Sequence, residues 1–169
     1  ASSFSFKHND VADLQSKLSR AKGEKYVVVE SIYSMDGDAA PLDKLVKVCE
    51  EDNAYLIVDE AHAGGIFGPN DKGLVTAKGL DDAVFAKLIT FGKAYGSHGA
   101  IVLGSNDLRD YLINFARSLI YTTALPLNVQ ERNLQAVHKA AELNQQKELQ
   151  ELIKFFKSKV MKGDFEAKE

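Results

Sequence analysis

Lys93 lies in Thr90-Phe91-Gly92-Lys93-Ala94-Tyr95-Gly96, a glycine-flanked turn directly after the apolar run Ala86-Lys87-Leu88-Ile89. A second apolar run, Ala54-Tyr55-Leu56-Ile57-Val58, ends on Asp59-Glu60-Ala61-His62. If both runs are strands of one sheet, their ends deliver a carboxylate, an imidazole and an amine to a single edge. A cofactor carrying an aldehyde on a pyridine ring uses those three groups: the carboxylate at the ring nitrogen, the imidazole near the ring oxygen, the amine on the aldehyde. Ligands of α/β sheets sit outside the carboxyl ends of parallel strands, and Asp59, His62, Thr90 and Lys93 all fall just past such ends.

Each residue also has an ordinary use. An Asp at a strand end commonly caps a helix or pairs with a cation, and a Lys after a strand is commonly solvated. Three other chemistries compete for the same residues. The letters of Asp59-Glu60-Ala61-His62 also mark a metal-coordinating strand end in one helicase class, but that chemistry needs an upstream phosphate loop ending in Gly-Lys-Ser or Gly-Lys-Thr. Here Gly92-Lys93 is followed by Ala94 and lies downstream. Asp59, Glu60, His62 and His98 offer metal ligands without the spacing of a zinc signature. Gly64-Gly65-Ile66-Phe67-Gly68 does not match the Gly-x-Gly-x-x-Gly pattern of a dinucleotide fold, and its glycines read as turn residues.

The elements that must position these groups follow from periodicity. Val11, Leu14 and Leu18 predict a short helix capped by Asn9 or Asp10. Tyr26-Val27-Val28-Val29 predicts a strand buried on both faces, followed by the loop Ser31 to Asp38. Pro41 opens a helix with Leu42, Leu45, Val46 and Cys49 on its apolar stripe, ending near Asn53, and a strand from Tyr55 to Val58 completes a parallel crossover unit. Leu88 to Phe91 and Ile101 to Leu103 predict two more buried strands. Asn106 or Asp107 is placed to cap a helix with Leu108, Tyr111, Leu112, Phe115 and Leu119 on one face. From Asn128 to about Lys159 the spacing of Val129, Leu134, Val137, Ala141, Leu149, Leu152, Ile153 and Phe156 is helical, in one long helix that bends, breaks or bridges two lobes. The fold class expected is a three-layer α/β/α arrangement with a mainly parallel sheet, followed by a long C-terminal helix.

Composition narrows the function. The 169 residues suit one ordinary domain, and 45% hydrophobic residues are enough for its core. Lys and Arg number 21 against 24 Asp and Glu, which argues against nucleic-acid binding by bulk charge. Cys49 is the single cysteine and is expected to pack as a small apolar side chain in a reducing compartment. No apolar run approaches the roughly 20 residues of a membrane span, and the first residues lack the features of a secretory signal, so a cytoplasmic protein is expected. The chain begins without Met and ends on a polar segment, Gly163 to Glu169, and is expected to be a piece of a longer protein.

Four separated motifs occur in the order seen in the α-oxoamine synthases, which the chain resembles from about residue 26 to 126. They are Ser34-Met35-Asp36-Gly37-Asp38-x-x-Pro41, Val58 to His62, Thr90 to Ala94, and Phe115 to Pro126. These are pyridoxal-phosphate enzymes of the aspartate-aminotransferase fold type. The resemblance implies pyridoxal 5'-phosphate as cofactor, with Lys93 as the lysine that binds its aldehyde and later moves protons at the substrate α-carbon. It implies Asp59 under the pyridine nitrogen, His62 beside the ring 3-oxygen, Thr90 toward the phosphate and Ser34 near the cofactor. Thr122 and Thr123 match a hydroxyl-bearing loop near a dimer interface, one of them serving a neighbouring subunit's cofactor. His98, after the lysine loop, suits a structural hydrogen bond or catalysis.

The reaction implied is the decarboxylative condensation of an amino acid with an acyl-CoA, in a homodimer. Members of the family are more than twice this length. Residues 1–126 then correspond to part of the cofactor-binding large domain, and 127–169 to a linker helix and the start of the smaller C-terminal domain. The segments that carry the stacking aromatic, a phosphate loop and a carboxylate-binding arginine cannot be assigned, so the chain alone is expected to be inactive. A non-catalytic partner built on the same fold is the reading from another class.

Overall fold

The computed structural model describes residues 2–142 and 145–160. Four strands form one sheet in the order β1-β2-β3-β4. β1 (Lys25–Glu30), β2 (Ala54–Asp59) and β3 (Ala86–Thr90) run parallel, and β4 (Ala100–Gly104) is antiparallel to β3. The architecture is α/β with a mixed, mainly parallel sheet, as the alternation of elements predicts.

One face of the sheet builds the core. In β1 and β2, Val27 and Val29 alternate with exposed neighbours and align with Leu56 and Val58. Two helices cover them: α1 (Val11–Leu18), through Leu14 and Leu18, and α2 (Leu42–Glu51), through Leu42, Leu45, Val46, Val48 and Cys49. Asp10 caps α1 by accepting the Asp13 N–H at 2.9 Å. Pro41 stands just outside α2, where its missing N–H is not needed and its carbonyl accepts the Lys44 and Leu45 N–H groups. Burial pushes the Cys49 thiol up to about 11, so it packs as an inert small hydrophobe.

The opposite face departs from expectation. Tyr26 and Val28 are 51% and 63% exposed, because alternate strand residues point to opposite faces and α1 and α2 cover only one. Tyr26 stacks on Tyr55 with centroids 5.1 Å apart, and Phe85 tilts against Tyr55. Ile101, Val102 and Leu103, expected to be buried, are all exposed; among the described residues β4 is an edge strand paired with β3 alone.

Beyond β2, a loop leads through a 3₁₀ turn (Pro69–Asp71) into the short α3 (Leu74–Ala77). After β4 comes α4 (Asn106–Phe115), whose cap is Ser105 rather than Asn106 or Asp107. The Ser105 hydroxyl accepts the Leu108 N–H at 3.1 Å, and the two residues after it occupy the first turn. The chain turns extended at Ala116, so Leu119 belongs to a separate helix, α5 (Arg117–Ile120), and Tyr111, Phe115 and Leu119 stay exposed. The C-terminal region contains α6 (Leu127–Glu142) and α7 (Gln145–Val160). The expected stripe is only partly right. In α6 the buried residue is Asn133, flanked one turn either way by half-buried Val129 and Ala136, while Leu134 and Val137 are exposed. The side chain of Ala141, and Asn144 and Gly163 to Glu169, lie outside the described residues. No described helix is long and apolar enough to cross a membrane.

Candidate functional site

Parallel pairing sets the carboxyl ends of β2 and β3 side by side, with Asp59 opposite Leu88. Strand periodicity then places Asp59 and Thr90 on the same face, the one that α1 and α2 leave open. The strand ends are knitted together by backbone bonds, Ser31 N–H to the Asp59 carbonyl and Glu60 N–H to the Leu88 carbonyl, both 2.8 Å. Asp59 Oδ1 accepts the Ala61 N–H at 2.8 Å, which fixes the carboxylate over the first turn after the strand.

That turn carries His62 to Lys93. Lys93 Nζ stands 2.7 Å from His62 Nε2. An ammonium has only donors, so Lys93 donates, Nε2 accepts and the ring's own proton sits on Nδ1. The loop around Lys93 is closed by Gly96 N–H to the Lys93 carbonyl, Ser97 N–H to the Phe91 carbonyl and Phe91 N–H to the Gly99 carbonyl. Tyr95 anchors it sideways by donating its phenol to the Asp71 carbonyl at 3.2 Å. Burial, with the charges of Asp71 and Glu60, pushes that phenol up and keeps it a donor. Gly65 has φ +83, and a Cβ there would come within 2.7 Å of the Ala94 Cβ, so the glycine loop and the lysine loop meet where no side chain fits.

Thr90 supplies a sharper clue. Its hydroxyl is buried at the end of β3 without a hydrogen-bond partner. A buried hydroxyl left unpaired costs free energy, and a ligand oxygen would remove that cost. Ser34 follows β1 in an exposed turn, its N–H donating to Glu30 Oε2 at 3.0 Å. Thr122 and Thr123 are exposed between α5 and α6; among the described residues, neither hydrogen-bonds to Lys93, His62 or Asp59. The structure thus joins Lys93 to His62 and sets Asp59 and Thr90 on neighbouring strand ends of one face, while Ser34 and the two threonines lie on separate segments.

Glu60 corrects the metal-ligand alternative. It is fully buried, and its Oε1 accepts the N–H groups of Leu74 and Val75 at 2.9 and 3.0 Å, capping α3 instead of joining Asp59 and His62. Gly73 faces it at φ +100, where any Cβ would collide with Glu60 Oε2. Among the described residues, the one group of three or more potential metal ligands in mutual reach is His8, Asp36 and Asp38, where His8 Nε2 pairs with Asp38 at 2.9 Å. Sequence reasoning missed Lys87. The signal available was a charged residue inside an apolar strand run. Its side chain is held in the core by Asp81 at 2.5 Å and Thr76 at 2.9 Å.

The family model for aminotransferase class I and II matches residues 2–167. The chain belongs to that family. This member of the aminotransferase class I and II family is 52% identical over 113 residues to the 8-amino-7-oxononanoate synthase of Emericella nidulans, covering 64% of this chain and 27% of that one. To the enzyme of the same name from Alcanivorax borkumensis it is 42% identical over 154 residues, 90% of this chain and 40% of that one. Among solved structures it is similar to the 8-amino-7-oxononanoate synthase of Francisella tularensis, with TM-score 0.80 and 31% identity over 97% of this chain and 48% of that chain. It is also similar to a variant serine palmitoyltransferase from S. paucimobilis with a bound PLP–myriocin aldimine, with TM-score 0.78 and 35% identity over 82% of this chain and 36% of that chain. The aminotransferase-family chain therefore spans less than half the length of these relatives. Both names belong to the α-oxoamine synthases that the four motifs resemble.

Proposed function

We propose that this chain is the catalytic core of a pyridoxal-phosphate-dependent α-oxoamine synthase that joins L-alanine to a pimeloyl-CoA thioester. Carbon dioxide and free CoA leave, and 8-amino-7-oxononanoate, a biotin precursor, is the product. The observation that carries the reading is the meeting of Lys93 with His62 beside Asp59 and the unpartnered Thr90 hydroxyl, in a chain whose relatives bear that enzyme's name.

The residues fit the cofactor. Bound pyridoxal phosphate supplies an aldehyde that condenses with amines and a ring that withdraws electrons from the substrate α-carbon. Lys93 would offer the amine that holds that aldehyde, and its free amine would be the base at the substrate α-carbon. Asp59, an acceptor on the open face, would hold a proton on the pyridine nitrogen by a charge-assisted hydrogen bond. His62, within reach of the Lys93 amine, orients it and faces the ring oxygen. Thr90 gives its unused hydroxyl to the phosphate. Ser34 is assigned to the cofactor's surroundings, and one of Thr122 and Thr123 to the cofactor of a neighbouring subunit in a homodimer.

Residues 1–126 are assigned to the large domain and 127–169 to the linker helix and the start of the small domain, in a cytoplasmic enzyme. The chain by itself is expected to bind cofactor weakly and not to turn over, and a non-catalytic subunit of the same fold is the competing class. The 35% identity to a serine palmitoyltransferase supports, as second reading, a family member that takes another amino acid and acyl chain, glycine C-acetyltransferase among them. Assay of the complete protein with L-alanine, glycine and L-serine against acyl-CoA thioesters of different length decides. Release of CoA with L-alanine and pimeloyl-CoA supports the proposal; release with glycine or L-serine alone overturns the substrate assignment.

A further inference from the structure

The lysine loop is held from outside the sheet by one polar side chain that the proposed chemistry does not use. Asn133 lies in the second turn of α6 and is 8% exposed, between half-buried Val129 and Ala136 on the same helix face. Its Nδ2 donates to the backbone carbonyl of His98 at 3.0 Å, and its Oδ1 is buried with no partner. A leucine at such a position would pack without leaving an amide oxygen unpaired, so the asparagine is a poor choice for stability alone.

The same helix reaches the next residue of the loop by a second route. Gln130 Nε2 donates to the Leu125 carbonyl at 2.7 Å, folding the segment before α6 back onto the helix. Leu125 Cδ1 then lies 2.6 Å from where a Cβ on Gly99 would be, and Gly99 has φ +96. His98 and Gly99 form the return limb of the lysine loop. That limb is tied to Phe91, two residues before Lys93, by the Ser97 N–H to the Phe91 carbonyl at 2.7 Å and the Phe91 N–H to the Gly99 carbonyl at 2.9 Å. Hydrogen bonds and the intervening backbone therefore link α6, through the limb 97–99 and Phe91, to Lys93.

We propose that Asn133 is a positioning residue for Lys93: its side-chain amide ties α6 to the return limb of the lysine loop and so fixes the amine beside His62. The functional half of this statement rests on Lys93 being the cofactor-binding lysine; the coupling of α6 to the loop does not.

The test compares Asn133→Ala and Asn133→Leu with the unmodified full chain. Leu replaces the amide by a side chain of similar size and keeps the helix packed, so it reports on the hydrogen bond rather than on folding. Amide hydrogen exchange at Phe91 and Ser97 is expected to quicken roughly fivefold in both variants, the change in local opening that loss of one net hydrogen bond brings, while core amides of β1 and β2 are unchanged. With pyridoxal phosphate added, the pH midpoint of the visible absorbance of lysine-bound cofactor is expected to move by roughly half a unit to one unit. Unaltered exchange at Phe91 and Ser97, or an unmoved midpoint in a chain whose absorbance depends on Lys93, overturns the proposal. So does collapse of both variants, which would make Asn133 purely structural. If the visible absorbance persists in Lys93→Ala, it is the cofactor reading that fails, and the exchange result still decides the coupling of α6 to the loop.

Discussion

Lys93 and His62 are 31 residues apart in sequence and 2.7 Å apart in space. Nothing local joins them. Each follows the end of a strand, and the parallel pairing of β2 with β3 brings the two ends together. In such a sheet ligands bind outside the carboxyl ends of the strands, where residues from separate crossover units are brought to one edge. Asp59 and Thr90 share that edge on the same face, so the ends of the two parallel strands and the turns after them carry all four polar groups.

The Thr90 hydroxyl separates stability from binding. It is buried and unpartnered, so Thr90→Val, which keeps the shape and removes the orphan, is expected to leave the cofactor-free protein as stable or more stable by about 1 kcal/mol. The same change removes the hydroxyl proposed to meet the cofactor phosphate and is expected to weaken pyridoxal-phosphate binding by roughly tenfold, the loss of one hydrogen bond to a charged group. Thermal melts and absorbance titration check the two signs. A variant that is both less stable and unaltered in affinity contradicts the assignment.

Asp59→Asn preserves the Oδ1 that accepts the Ala61 N–H but removes the charge. The melting temperature is expected to stay close to the original, while cofactor affinity falls by roughly 10- to 100-fold, as befits loss of a charge-assisted hydrogen bond. Equal affinity in a titration would show that this carboxylate does not meet the ring nitrogen.

Glu60 predicts a pH dependence. Burial pushes its carboxyl above the usual glutamate range, with the Val75 and Leu74 amides and Lys87 pulling it partly back. The native state therefore holds this proton when the unfolded chain has already lost it. Stability from this group is present below the ordinary glutamate value and is lost as pH rises through the raised one. Glu60→Gln keeps an acceptor for the two amides and does not titrate. The difference in melting temperature between Gln and Glu proteins should shift in favour of Gln across that window; a difference that is flat with pH contradicts the burial argument.

Gly65→Ala should damage the site from a distance. The left-handed backbone at φ +83 costs an alanine about 1–2 kcal/mol, and its methyl would press on Ala94, the neighbour of Lys93. Both a lower melting temperature and a slower reaction of Lys93 with pyridoxal phosphate are expected. A variant that melts lower yet reacts at the original rate would show that the glycine loop does not position the lysine.

The groups carried by strand ends were legible in the sequence because strand runs are local: Ala54 to Val58 and Ala86 to Ile89 announce where Asp59 and Lys93 must emerge. What the sequence did not reveal depends on which face other elements cover. Tyr26, Val28 and Ile101 to Leu103 are as apolar as their buried neighbours, yet lie on an open face or an edge strand. Glu60 stands next to Asp59, but strand alternation sends it to the core side, where the α3 amides receive it. Asn133 has no place in the apolar spacing of its helix, and only the lysine loop packed against it sets it apart. The helix after Ser105 starts where the spacing predicts but stops before Leu119, and its cap is Ser105 instead of Asn106 or Asp107, since Ser, Asn and Asp all serve and only the geometry selects among them.

The central claim is that Lys93 bonds covalently to pyridoxal phosphate. Borohydride reduction of the protein mixed with the cofactor, followed by digestion and peptide mass analysis, tests it directly. The account predicts a pyridoxyl group on the peptide containing Lys93, absent from Lys93→Ala. A label found on another lysine, or equal labelling of the Lys93→Ala protein, would contradict it.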